Sequence, residues 1–504
     1  MITAFVLLWL VPLGPASHVR AALGQLSVRM IDDINDLDPA RIRTTEDQSI
    51  GFSIYSRLVK YSLGKFASVE PDLAERWEIS GDGKVYTFFL RRGVKWQRGY
   101  GEVTADDVKF FFDRLTDPKV GSLYLNQASI IDRVQVVNKY EVRIYLKRPY
   151  SGFLVEFAAY RPGFIVNEKA LRELGNKYTA SAVGSGPFVL DRWEPGARVV
   201  LKSNPDFSYG PKPKVAQVNL AIMREDPLFE ISLLKGDVDI GYVTDPDVQE
   251  RTIKSKGIRT VFRPAPQTMY VVINTSVKPW NDVKVRKALW YATDRQGIID
   301  GVFHGLAQIS DTLLNPYVFG YAGKTVYRYD PGQARKLLQE AGYPNGFETE
   351  FFYYQPEGWP KQAPALQGVW RRVGIAVTLR QFEVAQLYER YRQKAFSLGG
   401  NAIMRVGPDQ IFSILLHSAS IPFPNAMQYA NLEMDSLIDG ARAELNDSKR
   451  AETYRRIQEK VWEDVPAIPL YQPKLVLAMR PDVRGAMIPG LQAFNLSDIS
   501  KTNP

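Results

Sequence analysis

The sequence predicts a mixed α/β chain of about three domain-sized units, and three observations carry that reading. Strand-like and helix-like runs alternate from Gly184 onward; residues 46–177 read instead as an α+β block; and 504 residues that are 45% hydrophobic and 24% charged are enough to bury real cores. Such a composition excludes intrinsic disorder and collagen-like structure. No repeat of 20–50 residues is visible, so solenoids and propellers fall away.

Leu26–Ile31 alternates as a strand, and the Leu37-Asp-Pro-Ala turn ends it. Ser80-Gly-Asp-Gly83 sits between Trp77–Ile79 and Val85–Leu90, the pattern of a hairpin. Thr104 stands at an N-cap, Asp106 and Asp107 follow in the first turn, and Val108, Phe111, Phe112 and Leu115 recur at helical spacing. Val134–Val137 and Tyr140–Leu146 alternate as strands. Past Gly184-Ser-Gly-Pro, strands are expected at Phe188–Trp193, Val199–Leu201 and Val215–Met223, then a helix at Asp226–Leu234. Met269–Asn274 reads as a strand leading to a helix that begins near Asp282. Beyond it helix signals dominate: Asp330–Gly342, with Asp as cap, Pro in the first turn and Gly at the end, and Asp447–Glu463, closed by Pro466. Ile468–Tyr471 and Leu475–Met479 read as two late strands.

Residue counts narrow the chemistry. With no cysteine there are no disulfides, thiolate metal sites, iron–sulfur clusters or cysteine nucleophiles, and no lipid-modified cysteine, so a lipoprotein is excluded. Only His18, His304 and His417 are present, which argues against a histidine metal centre or triad. Asp237 and Asp239 would point the same way in a strand, but acids bounded by glycine read more simply as turn residues. Gly184-Ser-Gly lacks a histidine partner for a nucleophile elbow, and no phosphate loop or EF-hand loop occurs. No catalytic residue, metal site or cofactor is predicted; a binding protein suits the chain better than an enzyme.

The formal charge is +9, with basic residues scattered instead of clustered, so a solvated surface is expected and nucleic acid is not. Residues 1–22 read as an export signal: Ile2–Leu13 is almost wholly apolar, short of the ~20 residues of a membrane span, and Val19-Arg-Ala-Ala22 offers a cleavage site. An exported, soluble chain in the periplasm is the expectation.

Glu70-Pro-Asp-Leu-Ala-Glu-Arg-Trp77 through Arg92-Gly-Val-Lys-Trp96, followed by Val103-Thr-Ala-Asp-Asp-Val108, resembles nearly residue for residue the signature block of solute-binding protein family 5. This is the extracytoplasmic receptor family of ABC importers, with oligopeptide-, dipeptide- and nickel-binding members. Gly184-Ser-Gly-Pro-Phe, Asn204-Pro-Asp-Phe, Gly236-Asp-Val-Asp-Ile, Asn281–Ala288, Asp294-Arg295 and Asp330–Gly342 resemble later family blocks in the expected order. The resemblance implies a two-lobed periplasmic-binding-protein fold (type II, cluster C-like) with an extra inserted α+β domain. Lobe I would combine 23–45, 178–265 and 472–504, the insert would be 46–177, and lobe II 266–471.

It also implies a monomer that closes on a peptide or other small solute and delivers it to membrane permease subunits, without covalent chemistry. Peptide is the leading ligand class. A non-peptide solute, such as an anionic sugar, an opine-like compound or a metal chelate, stays open, as does an exported sensor on the same fold. By resemblance the cleft would be lined by Arg43, Tyr270, Gly400, Asn401, Arg405, Asn425, Tyr471 and Gln472. Gly400 would let a ligand approach the backbone, Asn401 and Gln472 would donate and accept, Tyr270 and Tyr471 would pack, and Arg405 would take a carboxylate. Where similar peptide binders place an aspartate for the ligand's amino group, this chain has Met404, so standard recognition of a free amino terminus is not expected.

Overall fold

The computed structural model describes residues 24–62, 68–355, 358–488, 494 and 496–502. The expected export signal lies outside them. One long mixed sheet runs through the molecule in the order 375–382, 347–354, 398–404, 267–273, 467–479, 240–243, 25–30, 217–222, 198–203, 188–194. Strand Ala467–Met479 is its spine: its first half pairs with Gln267–Ile273 and its second half with Ile240–Val243 and Arg259–Pro264.

Hydrophobic burial divides this sheet into two bodies. One core gathers residues from Leu26 to Ala265 and from Leu475 to Ile499; the other runs from Met269 to Tyr471. The chain therefore crosses between bodies at two neighbouring places, 265–269 and 471–475, where Ala265 N–H donates to the Pro473 carbonyl at 2.7 Å. Two adjacent antiparallel crossings are the connection that a hinge between lobes uses, and the short strand Ala307–Ile309 pairs with the spine at the same place. The expected insert carries its own antiparallel sheet, in the order 74–79, 85–90, 141–146, 131–138. Helix Ala105–Thr116 buries Val108, Phe111, Phe112 and Leu115, and Asp107 accepts from Thr104 N–H at 2.9 Å as a reciprocal cap. Those side chains belong to the same continuous core as the first body.

The structure departs from the sequence reading at three points. The two late strands are one strand of 13 residues, since Pro469 and Pro473 fall where the spine changes partners and missing N–H groups cost little. Helix does dominate the second body past Asp282, as expected, but the sequence reading marks none of the strands between its helices: Phe347–Tyr354, Ile375–Phe382 and Leu398–Met404 pair in parallel, and only their distant partners select them. Asp237 and Asp239 do not point the same way, because the strand starts only at Ile240. Asp237 is exposed in the turn, whereas buried Asp239 accepts from Ser27 N–H at 2.8 Å and pairs with Lys501 at 2.8 Å.

Candidate functional site

Both bodies turn the carboxyl ends of parallel strands toward one another, the usual place for a ligand in an open α/β sheet. In the first body, Gln25–Met30 and Ile240–Val243 run parallel and deliver Met30–Ile31 and Tyr242–Pro246 to the gap. In the second, Phe347–Tyr354 and Leu398–Met404 deliver Gln355 and Met404. Between them lies a cavity of about 660 Å³, floored at the hinge by Ala265, Gln267, Pro473 and Leu475 and bounded by Thr45, Glu46 and Ser49 of the first helix.

Arg29 reaches this cavity fully committed. Its guanidinium pairs with Asp226 and donates to the carbonyls of Met223, Arg224 and Tyr242 at 2.6–2.8 Å. Asp226 in turn accepts from Thr244 N–H at 2.7 Å and from Asp245 N–H at 2.5 Å, fixing the loop that carries Asp245. Glu46, Tyr242 and Lys474 on the same wall are less committed. Glu46 has no ion-pair partner among the described residues, and burial, reinforced by Asp32 and Asp47, pushes its carboxyl above the usual range. The buried Tyr242 hydroxyl has no hydrogen-bond partner among the described residues, and burial raises its pKa. Lys474 donates to the Gly305 carbonyl at 3.2 Å and likewise has no ion-pair partner among the described residues. Met269, Met404, Phe303, Tyr471, Leu475 and Phe494 make much of the remaining wall apolar.

The gap is bridged at one side by an exposed ion cluster. Lys361 Nζ lies 2.9 Å from both Asp245 and Asp247, and His304 Nε2 lies 2.8 Å from Asp247. His304 and Lys361 hold Asp247 below the ordinary carboxylate value, and Lys361 does the same for Asp245 against the opposing effect of its partial burial. On another side, beyond Met404, the contact is buried: Glu156 of the insert meets Gly407, and Tyr160 packs with Val406.

Of the eight residues expected in the cleft, Tyr471 lines the cavity, its ring 4.7 Å from that of Phe303 and its hydroxyl bonded to Gln362. The other seven lie off the cavity wall. Arg43 is exposed, two residues before Thr45. Tyr270 is buried in the second core. Gly400 faces Trp359: a Cβ there would sit 2.7 Å from the indole ring, so the glycine makes room for packing. Asn401 bonds the Ala402 N–H at 2.8 Å, and exposed Arg405 bonds the Met404 carbonyl at 2.8 Å. Asn425 ties its own loop through the His417 and Tyr429 carbonyls at 3.1 and 2.8 Å. Gln472 points away from the cavity beside its strand neighbour, toward Thr268 and Ser310, each at 3.4 Å. Sequence reasoning missed Glu46, Tyr242, Lys361 and Lys474. Only Glu46 carried a signal, as an acid three residues past the position chosen from the resemblance.

No helix among the described residues is long and apolar enough to cross a membrane, and they contain no cluster of three or more His, Asp or Glu placed to hold a metal. The chain is 29% identical over 492 residues to the dipeptide-binding protein of Escherichia coli K12, covering 91% of this chain and 90% of that one. It superposes on HbpA2 from Haemophilus parasuis with a TM-score of 0.86 at 27% identity, covering 95% of this chain and 100% of that one. With the Helicobacter pylori periplasmic binding protein DppA, solved in complex with the peptide STSA, the TM-score is 0.79 at 26% identity, over 95% and 98% of the two chains. The model for bacterial extracellular solute-binding proteins, family 5 (Middle), matches residues 68–421, and with a hinged two-body fold enclosing a cavity the chain belongs to that family.

Proposed function

We propose that this chain is the extracytoplasmic receptor of an ABC importer, that it captures a peptide or peptide-like zwitterion between its two bodies, and that it performs no catalysis. One observation carries the ligand reading: an otherwise largely apolar cavity presents an unpaired carboxyl at Glu46, an unpartnered hydroxyl at Tyr242 and an unpaired ammonium at Lys474. Groups of opposite charge on a desolvated wall favour a ligand that carries both an ammonium and a carboxylate, and a free hydroxyl on the same wall suits an amide. The volume falls within the ~300–1,000 Å³ of small-molecule sites. Met404 on the wall offers no counter-charge to an amino group, so Glu46 of the opposite body takes that role. The relatives named for dipeptide binding and solved with a peptide support the class. Delivery to permease subunits, action as a monomer and a periplasmic location follow from the same reading.

Titration calorimetry with the dipeptide Ala-Phe, its N-acetyl form and its C-terminal amide tests the proposal. Ala-Phe is expected to bind best, and Glu46→Gln to cost it about 2 kcal/mol, the scale of a charge-assisted hydrogen bond, while leaving the N-acetyl form unaffected. Native mass spectrometry of the protein as purified supplies the contrary outcome: a single non-peptide mass in the cleft would overturn the peptide reading.

A further inference from the structure

Helix Pro408–Leu415 belongs to the second body, and its N-cap residue, Gly407, provides no capping side chain. The cap comes from the other body. Glu156, buried in the insert, presents its carboxyl to the Gln410 N–H while its own carbonyl accepts from the Gln410 side chain at 3.2 Å. The fit depends on the glycine: a Cβ at Gly407 would lie 1.7 Å from Glu156 Oε1. Gly407 has φ −132° and ψ 148°, ordinary extended backbone open to any residue, so its conformation does not demand glycine. The space does. We propose that Glu156 is the positioning residue of the closed cleft, a carboxyl carried by one body that caps a helix of the other in a seat kept free by Gly407.

The seat couples closure to a proton. Tyr150 donates to Glu156 from its own body; Asp409, Arg442 and Tyr454 face it from the second body, with Tyr61 and Arg148 nearby. Arg442 is committed to Asp409, with Nε at 3.0 and 3.2 Å from its two oxygens. Two buried carboxyls thus share one cation, and burial together with Asp409 raises the pKa of Glu156. Opening hydrates Glu156 and returns it toward its ordinary value. A carboxyl whose pKa is higher in the closed form favours closure at low pH, and that contribution is lost as pH rises through the closed-form value.

Because the chain has no cysteine, Lys169→Cys and Leu432→Cys give a unique dye pair across the two bodies, and single-molecule energy transfer on the full chain without added solute reports the closed fraction. Gly407→Ala is expected to lower the closed-to-open ratio roughly fivefold or more, the ratio implied by a lost helix N-cap. Adding Glu156→Ala should make it no lower than Glu156→Ala alone, since the clash disappears with the side chain. The wild-type ratio should fall from about pH 4, the ordinary carboxyl value, to about 8, the value in the closed form, and Glu156→Gln, a permanently neutral mimic, should hold the low-pH ratio throughout. An unaffected ratio in Gly407→Ala, fully multiplicative effects of the two substitutions, or an unchanged pH profile in Glu156→Gln would each overturn the proposal.

Discussion

Two of the contacts between the bodies are built on opposite physics. The Lys361–Asp245–Asp247–His304 cluster is exposed, with side-chain exposures of 31–57%, so its charges are already hydrated when the cleft is open. The Glu156–Gly407 seat is buried, and its neighbours Asp409 and Arg442 retain only 8% and 15% exposure. An exposed cluster costs little to form and gives little, and salt screens it. A buried seat is demanding in shape and protonation state, and strong when both are met. The difference teaches that the ion cluster can guide the bodies together over a distance, while the buried seat decides whether they fit.

Breaking the buried side should have the larger effect. Arg442→Ala leaves Asp409 buried without its cation and is expected to destabilise the second body by about 3 kcal/mol, measurable as a lower denaturation midpoint at unchanged slope. Loss of under about 1 kcal/mol would mean that water reaches Asp409 and that the seat is not dry.

Acid sharpens the comparison, because the contacts answer pH with opposite signs. Carboxyls held below their ordinary value, as Asp245 and Asp247 are, stabilise closure above the open-state value and lose that contribution as pH falls through the closed-state one. With the buried response silenced by Glu156→Gln, the closed fraction should therefore decline only on the acid side, from about pH 5 down to about pH 3. A decline on the alkaline side in that variant would assign the remaining proton to another group.

The smallest effect is expected at the exposed cluster itself. Lys361→Ala should cost closure about 0.5 kcal/mol or less, a loss that vanishes as salt is raised from ~0.02 to ~0.5 M. Residual loss at high salt would show that Lys361 contributes through packing as well as charge.

Much of the fold was legible because its signals are local. The helix after Thr104 carries its cap and its apolar stripe within 12 residues, and the hairpin around Ser80–Gly83 carries its turn. Parallel strands such as Phe347–Tyr354 and Ile375–Phe382 were not legible, since pairing between distant segments selects them: Ile375–Phe382 alternates buried and exposed residues at its start, yet nothing within its own window names its partner. The site was less legible still. Gly400 invites a reading as a ligand seat, yet Trp359, 41 residues earlier in the chain, is what occupies the space beside it. Gln472 and Tyr471 are neighbours on one strand, and strand alternation sends only Tyr471 to the cavity.

By itself the sequence determined the α/β class, the capped helices, the absence of thiol chemistry and the membership implied by Glu70–Trp96, all properties that a short window or a residue count contains. The tertiary structure decided which groups are left unpaired. Glu46 and Lys474 are ordinary charges in the sequence, and so are Asp226 and Asp409. Only the folded chain gives Asp226 to Arg29 and Asp409 to Arg442 while leaving Glu46 and Lys474 open to the cavity, because pairing is settled by distance and burial between residues that the chain order keeps far apart.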